Sequence, residues 1–261
     1  MSQDTAALAT SFLELHRVPT LLTLVNVWDV ASARVVAETP GTAALATASH
    51  SIAASLGYPD GEKIPLDEML AAIARIVGAT SLPVSADLEA GYGDPAVTVR
   101  RAIDLGVVGA NIEDGMRPLA EAVRAVEDVM AAATDLGVPD FVLNARTDAF
   151  VRPEGRSPDE CLDEAVVRCR AFLDAGAPVV FVPRVVERGH IERLVGELGP
   201  QRLTVIGIPG TLPLSELEAL GVARVTYGPW SQRVALTALQ QLTERALAGD
   251  GALPEDTRPL N

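Results

Sequence analysis

The chain has 261 residues, 48% of them hydrophobic and 21% charged, which supplies apolar mass for a sizeable core and excludes wholesale disorder. A formal net charge of -14 opposes binding to nucleic-acid backbones or anionic lipid and favours cationic or metal partners. The opening MSQDTAALATSFLELHRVP has neither a basic leader region nor a long apolar core, and no stretch approaches the roughly 18 apolar residues of a membrane span, so a cytoplasmic location is expected.

After an N-terminal helix that holds His16, short β-rich runs alternate with longer amphipathic ones. LTLVNVW from 22 precedes a helical run near 31–39, and TAALATA from 42 precedes one near 67–79. PVSADLE from 83 leads to a helix near 96–106, for which Asp94 is a good N-cap and Pro95 a good first residue. GANIED from 109 and FVLNARTD from 141 are followed by helices near 119–136 and 159–176. PVVFVPR from 178, LTVIGI from 203 and ARVTYG from 223 complete the strands, with helices near 189–198, 214–220 and 231–248. Eight β/α units predict an α/β fold of the (β/α)8 TIM-barrel type, one domain over residues 1–248 with a tail at 249–261. Cys161 and Cys169 lie eight apart in one helix and read as two buried or half-buried thiols.

Polar residues collect where the strands end: Asn26 and Trp28, Thr47 and Ser49, Asp87 and Glu89, Glu113 and Asp114, then Asn144, Arg146 and Asp148. In such a barrel these ends form the active face. Asp87 and Glu89 flank Leu88, so a pleated chain points both carboxylates to one side, and Glu113 on the adjacent strand faces the same space. Asp60, in GYPDGE, reaches over from its loop. Taken singly, each acid reads as a loop cap or ion-pair partner, but several converging carboxylates repel unless a cation sits among them. An all-oxygen set with room for water suits Mg²⁺ or Mn²⁺.

Arg146 is the counter-charge: it either clamps a substrate carboxylate or phosphonate or pairs with Asp148 or Glu113. His16 and His190 read as structural or solvated, whereas His50 is placed to touch a ligand.

NVWDVASARVVAE, ALATAS, LGYPDGE, SADLEAGYGD, GANIEDG, LNARTD, FVP and GVARVTYGPW, in that order, resemble the isocitrate lyase/phosphoenolpyruvate mutase superfamily, and its phosphonomutase-like members most of all. The resemblance implies an (α/β)8 barrel with its last helix exchanged between subunits and a homotetramer. It also implies Mg²⁺ and a bond broken or formed beside the keto group of a small acid. By the same resemblance Asp87 is the direct metal ligand, Glu89, Glu113 and Asp60 hold the metal through water, and Arg146 grips the substrate. Ser49 and His50 offer backbone amides to its carboxylate, and Trp28 and Thr47 line the pocket.

The chain departs from that pattern after its fourth strand. The superfamily's isocitrate and methylisocitrate lyases carry a Cys-containing Lys-Lys/Arg-Cys-Gly-His lid and its phosphoenolpyruvate mutases a Lys-Thr-Asn-Ser lid, whereas here NIEDG runs through GMRPLA directly into a helix. Ala48 stands where a Ser is frequent, and Arg117 in the shortened segment either substitutes in part for the missing lid groups or, the plainer reading, is a solvated arginine. The expectation is a Mg²⁺-dependent lyase or decarboxylase acting on a small α-keto or 2-hydroxy di- or tricarboxylate. Phosphonate carbon–phosphorus chemistry is the runner-up, and a catalytically silent keto-acid-binding barrel the alternative from another class.

Overall fold

The computed structural model describes residues 5–258; the ends at 1–4 and 259–261, which carry part of the leader and tail expectations, lie outside the described residues. The strands are β1 (Leu22–Leu24), β2 (Asn26–Val27), β3 (Leu45–Thr47), β4 (Val84–Asp87), β5 (Gly109–Glu113), β6 (Val142–Arg146), β7 (Val179–Phe181), β8 (Leu203–Ile206) and β9 (Arg224–Thr226). The helices are α1 (Thr5–Arg17), α2 (Val30–Ala37), α3 (Ser49–Ser55), α4 (Leu66–Val77), α5 (Pro95–Asp104), α6 (Leu119–Asp135), α7 (Pro158–Asp174), α8 (Arg188–Leu198), α9 (Leu214–Leu220) and α10 (Trp230–Leu247).

All strand pairs are parallel, in the order β1-β9-β8-β7-β6-β5-β4-β3-β2. The two ends of that order are halves of a single run: β1 pairs with β9, and β2, one residue later, pairs with β3. The sheet therefore nearly closes on itself, and the expected eight-stranded barrel is present with its first strand split at Val25.

Local chemistry sets the element ends. Asp94 caps α5 by accepting the amide of Val97 at 3.0 Å, with Pro95 in the first turn, as its sequence predicts. Ser157 and Glu160 form a reciprocal capping box on α7. Helix α3 has no counterpart among the expected helices, because SHSIAAS is too short to show a helical period. At the N-terminal mouth of the barrel Phe12 of α1 lies against the first residue of β5. A Cβ on Gly109 would stand 2.8 Å from the Phe12 ring and 2.8 Å from the Val142 carbonyl, so only glycine lets α1 close that end.

The barrel interior is partly polar. Arg224 on β9 is fully buried and spans toward β4, where its Nη1 donates to Ser85 Oγ at 3.4 Å; its Nε and Nη2 have no partner among the described residues. Burial pushes its pKa down to about 10, against the attraction of Asp87. Both cysteines of α7 are buried free thiols, and burial raises the pKa of Cys169, which leaves that thiol inert.

Candidate active site

The C-terminal ends of the strands open into a cavity of about 580 Å³, and Asn26, Ser49, His50, Asp60, Asp87 and Asn111 form one side of its lining. Asp87 is the last residue of β4. Its Oδ2 accepts both the amide (3.1 Å) and the hydroxyl (2.7 Å) of Ser49, the first residue of α3, while its own amide donates to Thr47 Oγ1 at 2.9 Å. No donor among the described residues reaches the second Asp87 oxygen. Asp60, exposed on the loop between α3 and α4, lines the same cavity and has no ion pair among the described residues.

Glu113 and Arg146 are register neighbours on β5 and β6, and the register makes them a pair: Arg146 Nη1 lies 2.8 Å from Glu113 Oε2. The same guanidinium holds Asp148 Oδ1 through Nη2 and Nε, each at 2.8 Å. Of the two roles open to Arg146, the ion pairs with Glu113 and Asp148 are both formed, and the arginine still lines the cavity. Burial alone would lower the pKa of Arg146, but the two carboxylates outweigh it and raise it. Glu113 is pushed up to about 7, mainly by burial, with Asp148, Asp87 and Glu89 adding repulsion that Arg146 only partly offsets.

Glu89 does not follow the pleat. The strand stops at Asp87, and Glu89 sits in the next turn with φ 53, so two-residue alternation no longer fixes its direction. Its carboxylate accepts the Glu62 amide and the Tyr92 hydroxyl and does not itself line the cavity. Burial pushes its pKa up to about 7, with Asp87 and Asp60 contributing repulsion. The turn is tight: a Cβ on Gly91 would stand 2.6 Å from Pro95 Cα.

The other expected site residues divide. Ser49 and His50 line the cavity, and His50 Nδ1 is buried with no hydrogen-bond partner among the described residues. Trp28 packs against the core and Thr47 is fully buried, its hydroxyl engaged by the Asp87 amide; neither is in the cavity lining. Asp114 is a brace, accepting the amides of Met116 and Asp148 and pairing with Arg168 at 3.2 Å. Arg117 is not the solvated arginine its sequence context suggests, because it folds back to donate to the Asp114 carbonyl (2.9 Å) and the Glu113 carbonyl (2.7 Å). The far wall adds residues that sequence reasoning missed, among them Arg184, Ile206, Ile208, Trp230 and Arg233. Asn111 was missed as well, although an Asn two before Glu113 in an apolar strand was a readable signal.

Among the described residues no three carboxylate, imidazole or thiolate groups converge closely enough to ligate a metal together. That donor set does not fit a site closed by protein ligands, but it fits Mg²⁺, which keeps several waters and takes one or two carboxylates. Asp87 offers an unengaged oxygen and Asp60 a free carboxylate on the same cavity.

Residues 12–247 match the family model described as phosphoenolpyruvate phosphomutase. The chain is 34% identical over 192 residues to 2-methylisocitrate lyase of Escherichia coli (strain K12), covering 67% of this chain and 62% of that one. It is 30% identical over 240 residues to oxaloacetate decarboxylase of Pseudomonas fluorescens (strain SBW25), covering 89% and 82%. A crystal structure from Burkholderia cenocepacia J2315, of a protein provisionally named a phosphonomutase, superposes with a TM-score of 0.85 at 37% identity over 93% of this chain and 99% of that one. The chain belongs to the phosphoenolpyruvate phosphomutase family, within the isocitrate lyase/phosphoenolpyruvate mutase superfamily.

Proposed function

We propose that the protein is a Mg²⁺-dependent lyase or decarboxylase that cleaves the carbon–carbon bond beside the keto or hydroxyl group of a small α-keto or 2-hydroxy carboxylate. The observation that carries this reading is Asp87: fixed at one oxygen by Ser49, unengaged at the other, and in a cavity shared with Asp60 and Arg146. Relatives that act as lyases and decarboxylases on acids of this kind support it.

In this reading Asp87 would hold Mg²⁺ directly, and Asp60, Glu113 and Glu89 would hold it through water. Bound there, Mg²⁺ supplies Lewis-acid stabilisation of negative charge on a substrate oxygen. The chain's own residues do the rest. Ser49 keeps Asp87 in one rotamer, which is preorganisation. Arg146, oriented by Glu113 and Asp148, presents fixed positive charge to the cavity, where an electron-rich enolate is stabilised as the neighbouring bond breaks. His50 directs an unpartnered, buried Nδ1 beside the cavity and is placed to hold or move a proton.

The test is a product assay with Mg²⁺ in which oxaloacetate, 2-alkylmalates and phosphonopyruvate are supplied in turn and release of the keto-acid fragment is followed. Turnover of the first two classes supports the reading, turnover of phosphonopyruvate alone moves the chemistry to carbon–phosphorus cleavage, and no turnover of any member refutes it.

A further inference from the structure

A positive charge lies one layer beneath the floor of the cavity. Asp87 at the end of β4 and Thr226 at the end of β9 both line the cavity. Two residues earlier on those strands, and so on the same inward side, stand Ser85 and Arg224, neither of which lines it. The Arg224 side chain reaches across to β4 and donates to Ser85 Oγ at 3.4 Å. Its guanidinium therefore sits under Asp87, separated from it by about 7 Å of strand rise.

This charge is sealed in and unpaired. Arg224 is fully buried, its Nε and Nη2 have no hydrogen-bond partner, and it forms no ion pair among the described residues. Buried charges are ordinarily paired, because taking them out of water is costly. Burial lowers the pKa of Arg224 to about 10, which still leaves it protonated at neutral pH, and the anion whose attraction opposes that lowering is Asp87. His16, the other titratable group that feels this charge, has a pKa lowered to about 3 and is neutral there. Arg146 also acts on Asp87, but Glu113 and Asp148 already balance it, and Arg184 and Arg233 belong to the far wall. A buried charge is weakly screened by salt and acts through a lower dielectric than water, so the field of Arg224 extends to the cavity floor.

We propose that Arg224 tunes the Asp87 site through its field: it offsets the charge of the cavity carboxylates, holds the affinity for a divalent cation alone low, and favours a cation that binds together with an anionic substrate. This inference rests on the proposed function, which makes Asp87 the residue that holds the cation. A single positive charge repels a dication and attracts a dianion, so its two effects have opposite signs. Metal loading is thereby tied to the presence of the acid to be cleaved. Arg224 touches neither the cavity nor a ligand, and so acts only through the site above it.

Two binding measurements separate this role from a structural one. Mn²⁺ serves as the metal probe, with the free ion followed by electron paramagnetic resonance in the absence of any acid, and oxalate is titrated by calorimetry at saturating Mn²⁺. Arg224→Met and Arg224→Gln, the second of which keeps a donor for Ser85 Oγ, are each expected to bind Mn²⁺ alone about tenfold more tightly and oxalate about tenfold more weakly than the unaltered protein. Arg224→Lys keeps the charge and is expected to stay within about threefold on both. The Tm of the two neutral variants is expected to hold or rise, because no ion pair is broken. Weaker binding of both ligands, an unchanged Mn²⁺ affinity, or loss of the fold in both neutral variants overturns the inference while the assignment of the cation to Asp87 stands. Failure of Mn²⁺ to bind the unaltered protein even with oxalate present removes that assignment as well.

Discussion

Ser49 grips one oxygen of Asp87 twice, with its backbone amide at 3.1 Å and its hydroxyl at 2.7 Å, and so ties the start of α3 to the end of β4. Both donors act on a carboxylate, and hydrogen bonds to charged groups are each worth about 1.5 to 3 kcal/mol. Ser49→Ala removes the hydroxyl and keeps the amide. The expected outcome is a roughly tenfold loss of Mg²⁺-dependent oxalate affinity together with a Tm lowered by several degrees, read by calorimetry and thermal unfolding.

Arg146 stands between Glu113 and Asp148 and touches both at 2.8 Å. Arg146→Met leaves the half-buried Glu113 and the buried Asp148 without the cation they share, Asp148 keeping Arg152 at 3.4 Å, and breaking a buried pair from one side costs up to about 3 to 5 kcal/mol. Denaturant unfolding should show a loss of that size, and adding Asp148→Asn to the variant should recover part of it. Loss of activity with unchanged stability would mean that the two ion pairs contribute nothing to the fold.

His16 gives a pH dependence with a definite sign. Its Nδ1–H donates to the Phe12 carbonyl at 2.8 Å, its Nε2 is buried without a partner among the described residues, and burial, aided by Arg224, lowers its pKa to about 3. The unfolded chain takes up that proton near 6.5, the folded one only near 3, so the contribution is present above 6.5 and is lost as pH falls between those values. Measured against His16→Leu, the stability of the unaltered protein should fall by up to about 1.4 kcal/mol per pH unit in that window. A flat difference would show that the folded imidazole titrates normally.

Helix α10 has one buried residue, Gln232, which holds its first turn to the barrel through Ser51 and Ser55. Beyond it Val234, Leu236 and Leu239 are 70%, 54% and 58% exposed, an apolar surface that a second copy of the chain would cover. Analytical ultracentrifugation should therefore find an assembly larger than a monomer, a tetramer on the family resemblance, and Leu236→Glu with Leu239→Glu should dissociate it. A monomeric unaltered protein would contradict the exchange of α10 between subunits.

The barrel was legible because each strand is a short apolar run bounded by turn residues and each main helix has its own period or cap, as at Asp94 and Ser157. Of the expected site residues that stand on strands, Asp87 and Arg146 line the cavity, and Glu113 pairs with Arg146 without lining it. The alternation argument does not reach Glu89, which lies two residues past the end of β4 in a left-handed turn. Arg184 and Arg233 were invisible because loop position, not periodicity, brings them to the cavity. Arg224 gave a signal that was overlooked: in ARVTYG it alternates with Thr226, between Ala223 and Val225, which places an arginine on the inward face of a strand.

The central claim is that Asp87 is where the divalent cation is held. Calorimetric titration of oxalate into the unaltered protein and into Asp87→Ala, each with and without Mg²⁺, tests it most directly. The account predicts oxalate binding that requires Mg²⁺ in the unaltered protein and vanishes in the variant; oxalate binding that persists in Asp87→Ala, or that ignores Mg²⁺ altogether, would contradict it.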